Sequence, residues 1–169
     1  VKHNDESYGM SIGKHSLCHN TENEQTYTFS NSEGETIQLI ARAYEDGIAF
    51  RYRIPGKAGE RLSLLSEATS FKIPVQAKAW MAPYDTATDW SPAYETDYLN
   101  GIPAGTASPK NTGWAFPALF KLGENWIYIS ESNNDSSSYG AHLAAKAEKG
   151  CYTIELPHPG EALGMGKPE

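Results

Sequence analysis

Apolar residues alternate with polar ones most regularly between Thr36 and Ile54. Ile37, Leu39, Ala41 and Ala43 share one parity, and Ile48, Phe50, Tyr52 and Ile54 then alternate with Ala49, Arg51 and Arg53. A period of two sends successive side chains to opposite sides of an extended chain, so each run reads as a strand. Between them stands Glu45-Asp46-Gly47, and an Asp-Gly pair supplies the positive φ angles of a tight hairpin turn. The pattern predicts a β-hairpin over residues 36–54. Further strands are expected at residues 62–65, 67–73, 118–122, 126–130 and 152–156, with Gly123-Glu124-Asn125 turning one into the next. No long helical period intervenes. The fold class this implies is all-β, an antiparallel β-sandwich.

Two stretches break the pattern, residues 80–113 and 133–139, and both read as long loops of the kind that carry function or form interfaces. The last ten positions, 160–169, hold Gly160, Gly164, Gly166 and Pro168 and propagate neither strand nor helix. They read either as a frayed end or as a linker toward a further domain. No internal repeat is present.

A length of 169 residues is that of one domain with a single core. Fifteen glycines and ten prolines suit short strands and turns. The formal net charge of −7 lacks the basic footprint of a nucleic-acid or anionic-membrane partner. No run approaches the roughly 18 apolar residues of a membrane helix. The opening Val1-Lys2-His3-Asn4-Asp5 is no signal peptide, so a signal has been removed or the sequence begins downstream of one. Cys18 and Cys151 form a disulfide in an oxidising compartment or remain two free thiols; spacing leaves both open, with free thiols favoured.

Motifs of nucleophilic or phosphate chemistry are absent: there is no Gly-x-Ser-x-Gly elbow, no phosphate-cradling loop and no Cys-x-x-Cys knuckle. His15 and His19 stand four apart but in turn-like surroundings, short of the three or four ligands of a zinc site. Asn134-Asp135-Ser136 fits a glycosylation sequon, with a plain polar loop the favoured reading. Richer is the segment from Trp80 to Tyr98, where Trp80, Tyr84, Trp90, Tyr94 and Tyr98 interleave with Asp85, Asp89, Glu95 and Asp97. Flat rings and acceptor carboxylates suit a sugar, with Trp90 and Tyr94 as candidate substrate-binding residues. Docking of the same aromatics on the sandwich or on a neighbouring domain is the stronger alternative. Glu131 continues the parity of Ile127 and Ile129, and a charge in line with an apolar face needs a partner. From the residues alone, solvent or an arginine is favoured over a metal.

In order along the chain, RAYEDGIAFRY (residues 42–52), PAYETDY (92–98), FPALFKL (116–122), YISES (128–132) and Tyr139 resemble the amino-terminal domain of glycoside hydrolase family 97. The resemblance runs from Glu35 to Leu143, and the family's opening strands are expected to be partly absent. It implies an antiparallel β-super-sandwich, galactose-mutarotase-like, with residues 1–169 as a single N-terminal domain and 160–169 leading toward a catalytic (β/α)8 barrel. It implies, too, that the catalytic carboxylates lie on that barrel, so that the chain alone is inactive on α-linked oligosaccharides.

By the same resemblance the parent enzyme is a calcium-dependent α-glucosidase or α-galactosidase of the bacterial periplasm or a secreted protein. Glu131 then supplies one calcium ligand from its strand end, with Tyr139 following. Ser132 departs from the family's usual Glu-Ala at this point. Arg42, Arg51 and Arg53 stay structural, Glu95 is a fold or interface residue, and the aromatic loop walls the sugar pocket. The alternative from another class is a stand-alone carbohydrate-binding β-sandwich that uses Trp90 and its neighbours without hydrolysis.

Overall fold

The computed structural model describes residues 1–56, 59, 62–88, 96–132 and 140–161. Its contacts divide the chain into two compact units, Val1–Leu62 and Ser63–Glu169.

In the first unit four strands follow one another in an antiparallel sheet of order β1-β2-β3-β4: β1 Lys2–Gly9, β2 Leu17–Ser30, β3 Thr36–Ala43 and β4 Ile48–Arg53. The predicted hairpin is present as β3 and β4. Its turn closes where the Tyr44 N–H donates to the Gly47 carbonyl at 2.9 Å. The opening strands expected to be partly absent are instead fully paired, with β1 matched to β2 from Lys2–Glu24 to Gly9–Leu17. They escaped the sequence reading because their residues are mostly polar on both parities, so no apolar period marks them.

Register divides this sheet into unlike faces. Tyr27 lies opposite Leu39, which lies opposite Tyr52, and Phe29 lies opposite Ile37, so these side chains share one face. Phe50 and Tyr52 meet edge to face at 6.1 Å on the same side. The other face carries the charged residues of β2–β4 together with the buried Ile40. There the buried Glu22 carboxylate accepts hydrogen bonds from Asn4 (2.9 Å) and Asn20 (3.1 Å), and Arg42 lies 3.5 Å from it while binding Glu24 at 2.7 Å. Arg42 is thus structural, as expected.

The second unit carries two antiparallel sheets. One has the order β7-β6-β8-β9, from β6 Lys78–Met81, β7 Leu99–Pro103, β8 Ala118–Leu122 and β9 Asn125–Ile129. The other has the order β10-β11-β5, from β5 Ser70–Lys72, β10 His142–Leu143 and β11 Cys151–Glu155, with one short 3-10 turn, Glu148–Gly150, before β11. Ile73, Met81, Trp114, Phe120, Leu143 and Tyr152 form its core, all at most 3% exposed. Residues 62–65, expected as a strand, belong to no strand, and Leu62, Leu64 and Leu65 are exposed. A short apolar run lacks a ladder unless a neighbouring strand supplies one. Residues 80–113, expected as a loop, contain the end of β6 and all of β7. Leu99-Asn100-Gly101-Ile102-Pro103 offers only two large apolar residues, and its glycine and proline read as breakers. Both cysteines are free.

Candidate functional site

Glu131 stands two residues past the end of β9, where the chain leaves the sheet. The preceding residue of its parity, Ile129, is buried at the edge of the core, so the carboxylate is carried out of an apolar layer and remains half-buried. Both of its oxygens accept the Ala141 N–H, at 3.3 and 3.2 Å. Burial raises the Glu131 pKa above the ordinary carboxylate value; the Ala141 amide opposes that rise, and the negative charge of Glu67 adds to it. The partner that the alternation demanded is therefore a backbone amide, and a second carboxylate is close enough to be felt. Glu67 had no signature in the sequence, since it lies at the start of a run read as a strand, and only the fold brings it toward Glu131.

Ala141 is held in turn by the strand it precedes. His142 and Leu143 pair with Glu155 and Ile154, while Leu143 bridges to Trp114 through a reciprocal pair of backbone hydrogen bonds at 2.8 and 2.9 Å. His142 is fully buried and stacks on Tyr84. Neither of its ring nitrogens makes a hydrogen bond among the described residues. Burial, with the neighbouring His158, lowers its pKa from 6.5 to about 4. At neutral pH the ring is uncharged, so its 3.4 Å approach to Glu155 is no ion pair. Next to it, Tyr84 donates its hydroxyl to Glu161, Glu161 accepts the His158 N–H at 2.9 Å, and His158 Nε2 reaches the Thr112 carbonyl at 3.0 Å. This cluster fastens the segment after β11 to the strip around Tyr84 and Thr112. Tyr84 belongs to the aromatic segment singled out from the sequence, and His142, in the apolar run Ala141-His142-Leu143-Ala144-Ala145, could have been flagged in the same way.

Of the aromatic segment, Tyr84 is core at 1% exposed and Tyr98 is 42% exposed. Trp80 packs on Trp126 at 5.2 Å, and the Lys121 ammonium lies 5.0 Å from the Trp126 ring. The candidate sugar-binding residues Trp90 and Tyr94, together with Glu95, Tyr139 and the sequon at Asn134, lie outside the described residues. His19 contacts Ser7 at 3.0 Å and Asp5 at 3.6 Å. Among the described residues no group of three or more histidine, cysteine, aspartate or glutamate side chains gathers where a metal could be held. A hard cation takes six to eight oxygens, so the Glu131 carboxylate would make only part of such a site and further ligands would have to come from elsewhere. No helix of the described residues is long and apolar enough to cross a membrane.

Residues 1–163 match the model of the family described as Glycosyl-hydrolase 97 N-terminal. The chain belongs to that family. It is 28% identical over 152 residues to a probable retaining alpha-galactosidase of Streptomyces bingchenggensis (strain BCW-1), covering 89% of this chain and 22% of that protein. Among solved structures it is similar to a beta-arabinopyranosidase, with a TM-score of 0.83 and 28% identity over 98% of this chain and 27% of that one. The chain thus spans about a quarter of the length of these relatives. The all-β, antiparallel super-sandwich class expected from the glycoside hydrolase family 97 resemblance holds, and the match extends through β1 and β2 rather than beginning near Glu35.

Proposed function

We propose that this glycosyl-hydrolase 97 N-terminal chain is the β domain of a calcium-dependent α-glycosidase, packing on the catalytic barrel of the same polypeptide. It acts on the terminal sugar of α-linked galactosides or glucosides in the periplasm or outside the cell, and the α-galactosidase relative favours the galactoside. The observation that carries the reading is Glu131, a half-buried carboxylate at a strand end, oriented by the Ala141 amide and sharing its surroundings with Glu67. A partly buried carboxylate whose charged form is disfavoured by desolvation gains from a divalent cation that neutralises it. Bound calcium would supply electrostatic attraction for sugar oxygens and for developing negative charge. Glu131 would hold it through a carboxylate oxygen, Ala141 would fix the orientation of that carboxylate, and the partly buried setting would limit competition from water. The paired carboxylates that break the glycosidic bond belong to the barrel in this reading. A stand-alone sugar-binding module is the weaker reading, because both relatives are named as glycosidases and are several times longer than the match.

Expression of the complete open reading frame tests it. Nitrophenyl α-galactoside or α-glucoside should be hydrolysed, activity should fall on chelation and return with calcium, and residues 1–169 alone should turn over neither. Turnover by residues 1–169 that survives repurification and depends on one of their side chains would overturn the reading.

A further inference from the structure

β11 ends at Glu155, and the residues that follow it, Leu156-Pro157-His158-Pro159-Gly160-Glu161, belong to no strand. Pro157 and Pro159 have no N–H to give to a ladder. The segment closes on itself instead: the Glu161 N–H donates to the His158 carbonyl at 3.1 Å, and the His158 N–H donates to the Glu161 carboxylate at 2.9 Å. Side chains fasten this turn to the strip that carries Tyr84 and Thr112. Glu161 accepts the Tyr84 hydroxyl, and His158 Nε2 donates to the Thr112 carbonyl at 3.0 Å. The strip itself is laced by backbone bonds, from the Tyr84 N–H to the Gly113 carbonyl and from the Ala115 N–H to the Ala82 carbonyl, both at 2.9 Å. The His158 ring stands 5.7 Å from that of Tyr84 and 4.8 Å from that of His142. The buried His142 ring thus lies between a wall held by a backbone ladder and a turn held through side chains, and the turn is the wall that can leave.

We propose that residues 157–161 are an acid-released strap, which leaves the Tyr84–Thr112 strip when His142 takes a proton, while β10 and β11 stay paired. The groups that face the His142 ring decide the sign. Tyr84 covers one side of it, and Gly113 crowds its Cδ2 edge. His158 adds a second imidazole, and Glu161 behind it is engaged by the Tyr84 hydroxyl and the His158 N–H. Asp85, beside Tyr84, is paired with Lys110 at 3.2 Å. The Glu155 carboxylate, 3.4 Å from Nε2, favours the proton, but it is half exposed and water screens its charge. Burial, then His158, outweigh it, and the closed site holds the His142 pKa at about 4. With the strap away the ring meets water, and its pKa returns toward 6.5. The open form then binds the proton that the closed form refuses. Opening therefore grows as the pH falls through that interval, by about twentyfold between pH 7 and pH 5, and is insensitive to this group above it.

Hydrogen exchange of the complete polypeptide, followed by mass spectrometry at pH 7 and pH 5 and corrected for the intrinsic rate at each pH, tests the strap. Peptides covering 157–161 should lose protection by about twentyfold from pH 7 to pH 5. Their exchange should not respond to low urea, because the opening exposes little surface. Peptides from β11 should stay more protected and should respond to urea, since they exchange by unfolding. His142→Phe keeps a ring against Tyr84 and removes the proton, so it should abolish most of the pH effect on 157–161. His142→Leu removes the same proton and decides the matter if His142→Phe does not fold. Exchange of 157–161 that tracks β11 in urea overturns the inference in favour of unfolding of the whole unit. A pH effect that survives the substitution overturns it in favour of another titrating group.

Discussion

Tyr84 lies flat against His142, ring centroids 4.1 Å apart and planes 17° from parallel. The stack holds a titratable ring in a fully buried position with no hydrogen-bond partner among the described residues, which makes it an acid-sensitive point of the second unit. In the unfolded chain His142 takes its proton near 6.5, in the folded chain only near 4. Between those values the unfolded state holds more protons, so stability falls as the pH drops through this window and is independent of this group above it. The expected loss is about 2 kcal/mol between pH 7 and pH 5. His142→Phe keeps the stack and removes the proton, so urea midpoints at pH 7 and pH 5 should differ less in the variant than in the wild type. An unchanged difference would show that His142 is not the group responsible.

Gly113 is where this cluster leaves no room. Its φ is +105°, and a Cβ there would stand 2.5 Å from His142 Cδ2 and 2.6 Å from the Leu143 carbonyl. Gly113→Ala should cost about 3 kcal/mol, from the unfavourable backbone together with the clash. Gly123 has φ +59° with nothing within 4 Å, so Gly123→Ala should cost only about 1 kcal/mol. Denaturation of the two variants side by side checks the contrast.

Arg42 is predicted to matter through Glu22 more than through Glu24. Glu22 is only 3% exposed, and of its partners Asn4, Asn20 and Arg42, Arg42 alone brings a charge. Arg42→Met should destabilise the first unit by about 2 kcal/mol, because it leaves a buried carboxylate without its counter-charge. Glu22→Gln in the same background should recover part of the loss. Thermal unfolding of the single and double variants measures that coupling.

What could be read from the sequence follows from where burial writes a period. The β3–β4 hairpin was legible because Ile37, Leu39, Phe50 and Tyr52 keep one parity across an Asp-Gly turn. β8 and β9 were legible for the same reason. β1 and β2 were hidden by their polar composition, and β7 by Gly101 and Pro103, whose strand exists only because Lys78–Met81 offers it a ladder. Residues 62–65 show the converse, an apolar run that finds no ladder. At the candidate site, Glu131 could be singled out because its parity puts a charge after Ile127 and Ile129, whereas Glu67 and the Tyr84–His142 stack are assembled by tertiary approach of segments far apart in sequence.

Glu131 also gives the most direct test of the functional account. Calorimetric titration of calcium into the complete polypeptide, wild type and Glu131→Gln, isolates its role as a ligand from any role in catalysis. The amide keeps an oxygen but loses the charge and one of two equivalent donors, so the fold should persist while calcium Kd rises by about tenfold or more. Lost glycosidase activity should then return in part at high calcium. Equal calcium affinity in the two proteins would contradict the assignment of Glu131 to the metal.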